Sequence, residues 1–354
     1  MRYRIFGRRT GLRVSELALG GSNFGERLRP GAALEECTSI FEAYVAAGGN
    51  FIDTGDYYQL GESEEILGTL IAGRRDDLVI GTKYTYGSNV LAGPTAIGNS
   101  RKSMMRAVEG SLKRLNTDRI DIYWAHLSDD VTPMDEILRG MDDLVRAGKV
   151  LYVGLSNFPA WRTARGTLMA DLQGWAPLAA IQVEYNLIER SADRELLHMC
   201  EALGLAAALW GPLAGGLLSG KHRAGAVQGA SMALRAISRS EATARDTAIL
   251  DALFAVAGET GRSPAEVCIA WLRSRAAGSS TALIPILGPR TRAQLDSVLG
   301  GLSIELTAEQ AGRLDAVSAL SLGVPRESGE HPRTRDMVFG GDAAKFHLPA
   351  SPAV

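Results

Sequence analysis

Along most of the chain, short apolar runs alternate with longer segments in which apolar residues recur every three or four positions. The runs are ELALGG, NFIDT, LVIGTK, DIYWAH, LYVGLSN, AIQVEY, AAALWGP and ALIPILG. Each has the length of a strand and the near-continuous apolar composition of one buried on both faces. Between them, sets such as Leu34, Cys37, Phe41 and Tyr44, or Met105, Val108, Leu112 and Leu115, mark one buried face of a helix. Eight strand-then-helix units predict an α/β protein, a (β/α)8 TIM barrel with its active site at the C-terminal face of the strands. Helix boundaries agree. Ser263-Pro264-Ala265-Glu266 reads as a capping serine, a first-turn proline and the reciprocal glutamate, Thr307 with Gln310 repeats the cap, and Gly148 and Gly204 sit where helices end.

Two segments fall outside the repeat. His222 to Asp246 is long, polar and placed after the seventh strand, on the catalytic side, which suggests a lid. The division expected is a single barrel domain over 1–320 and a tail over 321–354, rich in Pro, Gly and charge, that covers the pocket mouth.

Composition narrows the function. Of 354 residues, 46% are hydrophobic and 22% charged, as in an ordinary globular protein with an ample core. A formal net charge of -2 leaves no electrostatic footprint for nucleic acid or an anionic membrane, so a small-molecule partner fits better. No apolar run is long enough to span a membrane, and MRYRIFGRRTG lacks the apolar core of a signal peptide. Cys37, Cys200 and Cys268 match no zinc or redox spacing, and an odd number of unpaired thiols suggests a reducing compartment, the cytoplasm. His198, His222, His331 and His347 show no ligand spacing, so no metal site is expected.

Four residue types suited to proton transfer lie at or just beyond three successive strand ends: Asp53 and Tyr58 in FIDTGDYY, Lys83 in LVIGTKY and His126 in DIYWAHL. Barrel strands converge on one pocket at these ends. A phenol with a reference pKa of about 10 needs a neighbouring cation before it donates its proton readily. Lys83 can supply that cation, Asp53 can hold it, and His126 can orient a carbonyl or share the proton.

In order and spacing, DTGDYYQLGESEEILG, GTKY, YWAH, GLSNF, QVEYN and WGPLAGGLLSGK resemble the aldo-keto reductases over roughly residues 3–318. The style is that of the aryl-alcohol dehydrogenase-like and secondary-metabolite branches. The resemblance implies a monomeric or loosely oligomeric barrel, NADPH bound extended without a Rossmann fold, and carbonyl reduction through Tyr58, Lys83, Asp53 and His126. Aryl aldehydes, ketones and keto-sugars are the substrate classes it suggests. It also touches the potassium-channel β-subunit branch, a non-catalytic nucleotide-binding alternative, although that branch lacks a histidine at the position of His126.

No GxGxxG follows the first strand. GGLLSGKH is not a P-loop, because His222 stands where Ser or Thr would ligate magnesium. Barrel loops after strands seven and eight often bind phosphate, which assigns the pyrophosphate to Ser219, Lys221, Gly288 and Arg290, with Arg290 also suited to the 2'-phosphate of NADPH. Trp210 is the nicotinamide-stacking ring the family pattern implies, with Ser156, Asn157 and Gln182 for its carboxamide. Ser22, Gly211, Pro212, Leu213 and Gln294 complete the cofactor set. Three departures from the family pattern stand out: Ser297-Val298 where Glu-Asn is common near the adenine, Gly55 where alanine is common, and a longer stretch from Tyr86 to Asn99.

Overall fold

The computed structural model describes residues 1–89, 93–220, 241–347 and 349–351. A small antiparallel hairpin, β1 (Tyr3–Ile5) with β2 (Arg13–Ser15), precedes eight parallel strands: β3 (Ala18–Gly20), β4 (Phe51–Asp53), β5 (Val79–Tyr84), β6 (Ile120–Ala125), β7 (Val150–Ser156), β8 (Leu178–Glu184), β9 (Ala206–Trp210) and β10 (Leu283–Leu287). These eight close as β10-β3-β4-β5-β6-β7-β8-β9, with helices between successive strands. The protein is a (β/α)8 barrel, as expected.

Alternation along the strands sorts the core into two parts. Phe51, Ile122, Trp124, Ala180, Ala206, Ala208 and Ile284 point into the barrel, whereas Ile52, Ile80, Tyr84, Tyr123, Leu155 and Leu209 pack outward against the helices. The interior filler is Trp124. It fits because facing positions are small: a methyl on Gly154 would come within 2.4 Å of its ring, and one on Gly81 within 3.1 Å of its Nε1. Phe6, carried by the turn of the hairpin, meets Phe51 edge-on at 5.5 Å and Trp124 at 6.4 Å, closing the barrel opposite the site.

The helix signals hold in detail. Both capping boxes form, at Ser263 with Glu266 and at Thr307 with Gln310, and Gly148 and Gly204 take φ of 72° and 73°. In the helix Leu34–Ala46 the expected stripe is shifted: Cys37, Phe41 and Tyr44 are buried, but Leu34, at the first helical position, is exposed and Ile40 takes its place. All three cysteines are buried free thiols.

The tail differs from its expected position. The Ser351 hydroxyl lies 3.0 Å from that of Ser280, just before β10, and accepts from Arg8 of the hairpin, so the described tail ends beside the strands' N-terminal ends, away from the mouth. Met337 and Val338, its apolar cluster, are exposed. Of the segment read as a lid, 222–240 falls outside the described residues, and its last residues already begin a helix: Thr243 caps Ala244–Thr260 through a reciprocal bond with Asp246. Among the described residues, no helix is long and apolar enough to cross a membrane.

Candidate active site

Lys83 organises the site. Its side chain points into the barrel from β5 with no exposed surface, where an unpaired ammonium would cost several kcal/mol. Its Nζ donates to the Asp53 carboxylate at the end of β4 and to the Thr54 carbonyl at 2.7 Å. The other Asp53 oxygen accepts from Gln182 Nε2 on β8 at 3.1 Å. Burial by itself lowers the Lys83 pKa, but Asp53 and Tyr58 outweigh it, and the ammonium sits above its ordinary value. Burial likewise raises Asp53 above its ordinary value, against the pull of Lys83. Gly81 is the spacer that makes room, since a methyl there would stand 2.9 Å from Asp53 Oδ1.

Tyr58 reaches the pair by a sharp turn. Beyond β4 the chain stays in register with β5, Thr54 N donating to the Gly81 carbonyl at 2.8 Å and Asp56 N to that of Lys83 at 3.1 Å. It then turns through Gln59 and Leu60, both left-handed at φ 51° and 55°. Such backbone persists only where surrounding contacts over-determine it. Here the Gln59 side chain accepts from Leu28 N and Arg29 N at 2.8 and 3.0 Å and donates to the Arg29 carbonyl at 3.0 Å. Lys83 Nζ stands 4.7 Å from the centroid of the Tyr58 ring.

His126 follows β6, its ring edge-on to Tyr58 at 5.6 Å and to Tyr86 at 4.8 Å. Burial, and then the charge of Lys83, hold it well below 6.5, so it is a neutral imidazole near pH 7. Its Nδ1 is buried without a partner among the described residues. A neutral histidine with one N–H can donate to a carbonyl oxygen in the same space that Tyr58 faces.

Around the four, the predicted cofactor residues divide by what already occupies them. Asn157 Nδ2 donates to the His126 carbonyl at 3.0 Å and to Ser156 Oγ at 2.9 Å, and its Oδ1 accepts from Trp210 Nε1 at 3.2 Å. This network fixes the indole, which is 37% exposed at the end of β9 and offers a flat face. The Gln182 amide nitrogen is spent on Asp53, leaving its oxygen. Gly211, at φ 68°, gives its carbonyl to Asn186 Nδ2 and begins the turn that carries Pro212 and Leu213 to Ser219, whose hydroxyl donates to the Gly216 carbonyl. On the opposite side, Ser22 accepts from Arg29, Gly288 accepts from Asn23, and Gln294 accepts from Arg290 N, which makes Gln294 a brace for the loop. Lys221 lies outside the described residues. Val298 faces the core and Ser297 solvent, so the Ser297-Val298 departure contributes packing at one position and an exposed hydroxyl at the other. Tyr86, from the longer stretch, packs on His126 and on Tyr57.

Sequence reasoning passed over the clamp by Gln59 and the parallel one by Glu62, whose carboxylate accepts from Glu26 N and Arg27 N at 2.8 and 2.7 Å. It also passed over a buried cluster behind the site, Asp56 with Glu64, Thr82 and Arg114. The signal available was QLGESEE itself, dense in polar residues directly after Tyr58.

The buried Lys–Asp pair, the tyrosine and the histidine thus meet at the C-terminal ends of the barrel strands. The model of the aldo/keto reductase family matches residues 16–319, and the chain belongs to that family. Among curated relatives, an aryl-alcohol dehydrogenase of Pestalotiopsis microspora is 31% identical over 92% of this chain and 84% of its own length. A norsolorinic acid reductase of Emericella nidulans is 33% identical over 91% and 83%. The uncharacterized oxidoreductase YrpG of Bacillus subtilis is 34% identical over 94% and 98%. The protein is thus an NAD(P)H-dependent oxidoreductase.

Proposed function

We propose that the protein reduces an aldehyde or ketone to the alcohol with NADPH, Tyr58 acting as general acid, and that aryl carbonyls are its first substrate class, with keto-sugars next. The observation that carries this is the fully buried Lys83, ion-paired with Asp53 and 4.7 Å from the Tyr58 ring. Relatives named for aryl alcohols and for norsolorinic acid support the aryl preference.

The residues present suit a dinucleotide. Trp210 offers a fixed, partly exposed ring, the Gln182 oxygen remains available, and Arg290 shows no carboxylate partner among the described residues. When bound, NADPH supplies the hydride that goes to the carbonyl carbon. As the carbonyl oxygen gains charge, Tyr58 gives it a proton, and Lys83 stabilises the phenolate left behind. Asp53 keeps Lys83 in place, and neutral His126 donates a hydrogen bond that orients the oxygen. Alcohol oxidation runs the same proton transfer backwards. The catalytic unit is the barrel over 1–320. A non-catalytic regulatory subunit gains nothing from a complete proton-donor set, so the reductase reading is preferred.

The test is NADPH oxidation by the purified protein against substituted benzaldehydes, aryl ketones, dicarbonyls and keto-sugars, repeated with NADH. Turnover of aryl carbonyls, faster with NADPH, is expected. Tight NADPH binding with no oxidation by any of them would overturn the proposal in favour of the regulatory subunit.

A further inference from the structure

The loop that follows β3 is held unusually firmly for a surface segment. Gln59 bonds three backbone groups of Leu28 and Arg29, Glu62 caps Glu26 and Arg27, and Asn23 Nδ2 reaches the Gly288 carbonyl at 2.8 Å, tying this loop to the one after β10. A Cβ on Gly31 would lie 2.1 Å from the Gly25 carbonyl oxygen and 2.9 Å from Gln59 Nε2, so the loop is packed as well as bonded. β3 and β10 are neighbours where the barrel closes, and the two loops therefore meet above one seam.

Each loop brings a guanidinium to that seam. Among the described residues the Arg29 guanidinium has one bond, from Nη2 to the Ser22 carbonyl at 3.1 Å, and neither it nor Arg290 has a carboxylate partner. Burial, and next the like charge of Arg290, lower the Arg29 pKa, while Tyr58 and Tyr57 act on it in the opposite sense. The Asn23–Gly288 bond and the pairing of β3 with β10 bring the loops of Arg29 and Arg290 together, and the bonds from Gln59 hold the Arg29 backbone against the turn that follows Tyr58. Two like charges held together by a clamped backbone repel one another until an anion sits between them, and planar guanidinium groups bind phosphate or carboxylate oxygens in pairs.

We propose that Arg29, together with Arg290, forms an anion-binding site across the β10–β3 seam beside Tyr58, taking an anionic oxygen group of a molecule bound in the active site. The identity of that molecule rests on the reductase reading: the group is either the cofactor's pyrophosphate or an acidic substituent on the carbonyl substrate. The chemistry is shared and the sources are separable. NAD+ and NADP+ both carry the pyrophosphate, whereas only an acidic substrate carries the other group.

Arg29→Gln removes the charge and leaves the backbone clamp intact; Arg29→Lys keeps a cation. Equilibrium binding of NADP+ and of NAD+, read by tryptophan fluorescence, is compared with KM for 4-carboxybenzaldehyde and for neutral 4-methylbenzaldehyde. If the pyrophosphate is the ligand, Arg29→Gln weakens both dinucleotides alike by about tenfold or more, as expected for loss of a charge-assisted pair, and the ratio of the two KM values stays put. If the substrate is the ligand, both dissociation constants hold while KM rises about tenfold for the carboxylate alone. Arg29→Lys falls between wild type and Arg29→Gln in either case. A wild-type unfolding midpoint in Arg29→Gln with none of these quantities changed beyond about twofold overturns the site. Should neither aldehyde turn over, the reductase reading fails by itself. Thermal stabilisation by inorganic pyrophosphate of the wild type but not of Arg29→Gln would then still support the site, and equal stabilisation of both would reject it.

Discussion

Replacing Lys83 with Met keeps the length of the side chain and removes the cation that is bonded to Asp53. The carboxylate it leaves is 2% exposed and keeps the bond from Gln182 at 3.1 Å, where before it also held the ammonium. Breaking a buried pair from one side typically costs about 3–5 kcal/mol, because the remaining charge is uncompensated. Lys83→Met should therefore be destabilised by about that much at neutral pH. The penalty should shrink as pH falls: Asp53 is already raised by burial, loses the opposing Lys83, and so binds a proton in the folded state before it does so unfolded. Adding Asp53→Asn removes the orphaned charge while its side-chain oxygen still accepts from Gln182, so the double variant should recover most of the loss. Turnover should stay down by at least about a hundredfold in both, since Tyr58 has lost its cation. Urea unfolding followed by circular dichroism gives the stabilities, and NADPH oxidation gives the rates. A Lys83→Met protein as stable as wild type, a double variant no better than the single, or turnover within tenfold of wild type would refute the reasoning.

Behind the site, Asp56 is buried with Oδ1 unpartnered among the described residues, and burial followed by Glu64 pushes it up to about 8. Because the unfolded value is about 3.9, the folded state holds the extra proton between the two, and stability falls with rising pH across that window by up to about 1.4 kcal/mol per unit. Asp56→Asn should flatten the slope of unfolding free energy between about pH 5 and about pH 7.5; parallel slopes in variant and wild type would dismiss this. Gly154→Ala drives a methyl to 2.4 Å from the Trp124 ring and 2.8 Å from the Ala180 carbonyl, and overpacking of that kind should cost about 1–3 kcal/mol in urea unfolding. Gly55→Ala meets nothing nearer than 3.5 Å, so its stability should stay within about 0.5 kcal/mol of wild type and its turnover close to wild type.

All eight barrel strands were legible, because a strand buried on both faces writes a continuous apolar run that little else imitates. That four side chains would meet was legible for a related reason: Asp53, Lys83 and His126 are polar residues at the ends of those runs, and Tyr58 follows five residues after Asp53. The hairpin β1–β2 was not, since its strands are three residues each and β1 is exposed, with Phe6 and Val14, backed by Leu12, carrying the barrel plug. Polar residues hide their partners in general. Nothing in the sequence pairs Gln59 and Glu62 with a partner, and only the fold shows that they face backbone some thirty residues earlier. The tail was misplaced because composition marks a segment as irregular without saying which end of a barrel it reaches.

The central claim is that Tyr58, set against the Lys83–Asp53 pair, donates the proton in carbonyl reduction. Tyr58→Phe removes the hydroxyl and keeps the ring that packs on His126. Its kcat for an aryl aldehyde accepted by the wild type, measured with NADP+ affinity on the same preparation, tests the claim most directly. The account predicts a fall of at least about a hundredfold in kcat with NADP+ affinity nearly unchanged. A kcat close to wild type would contradict it.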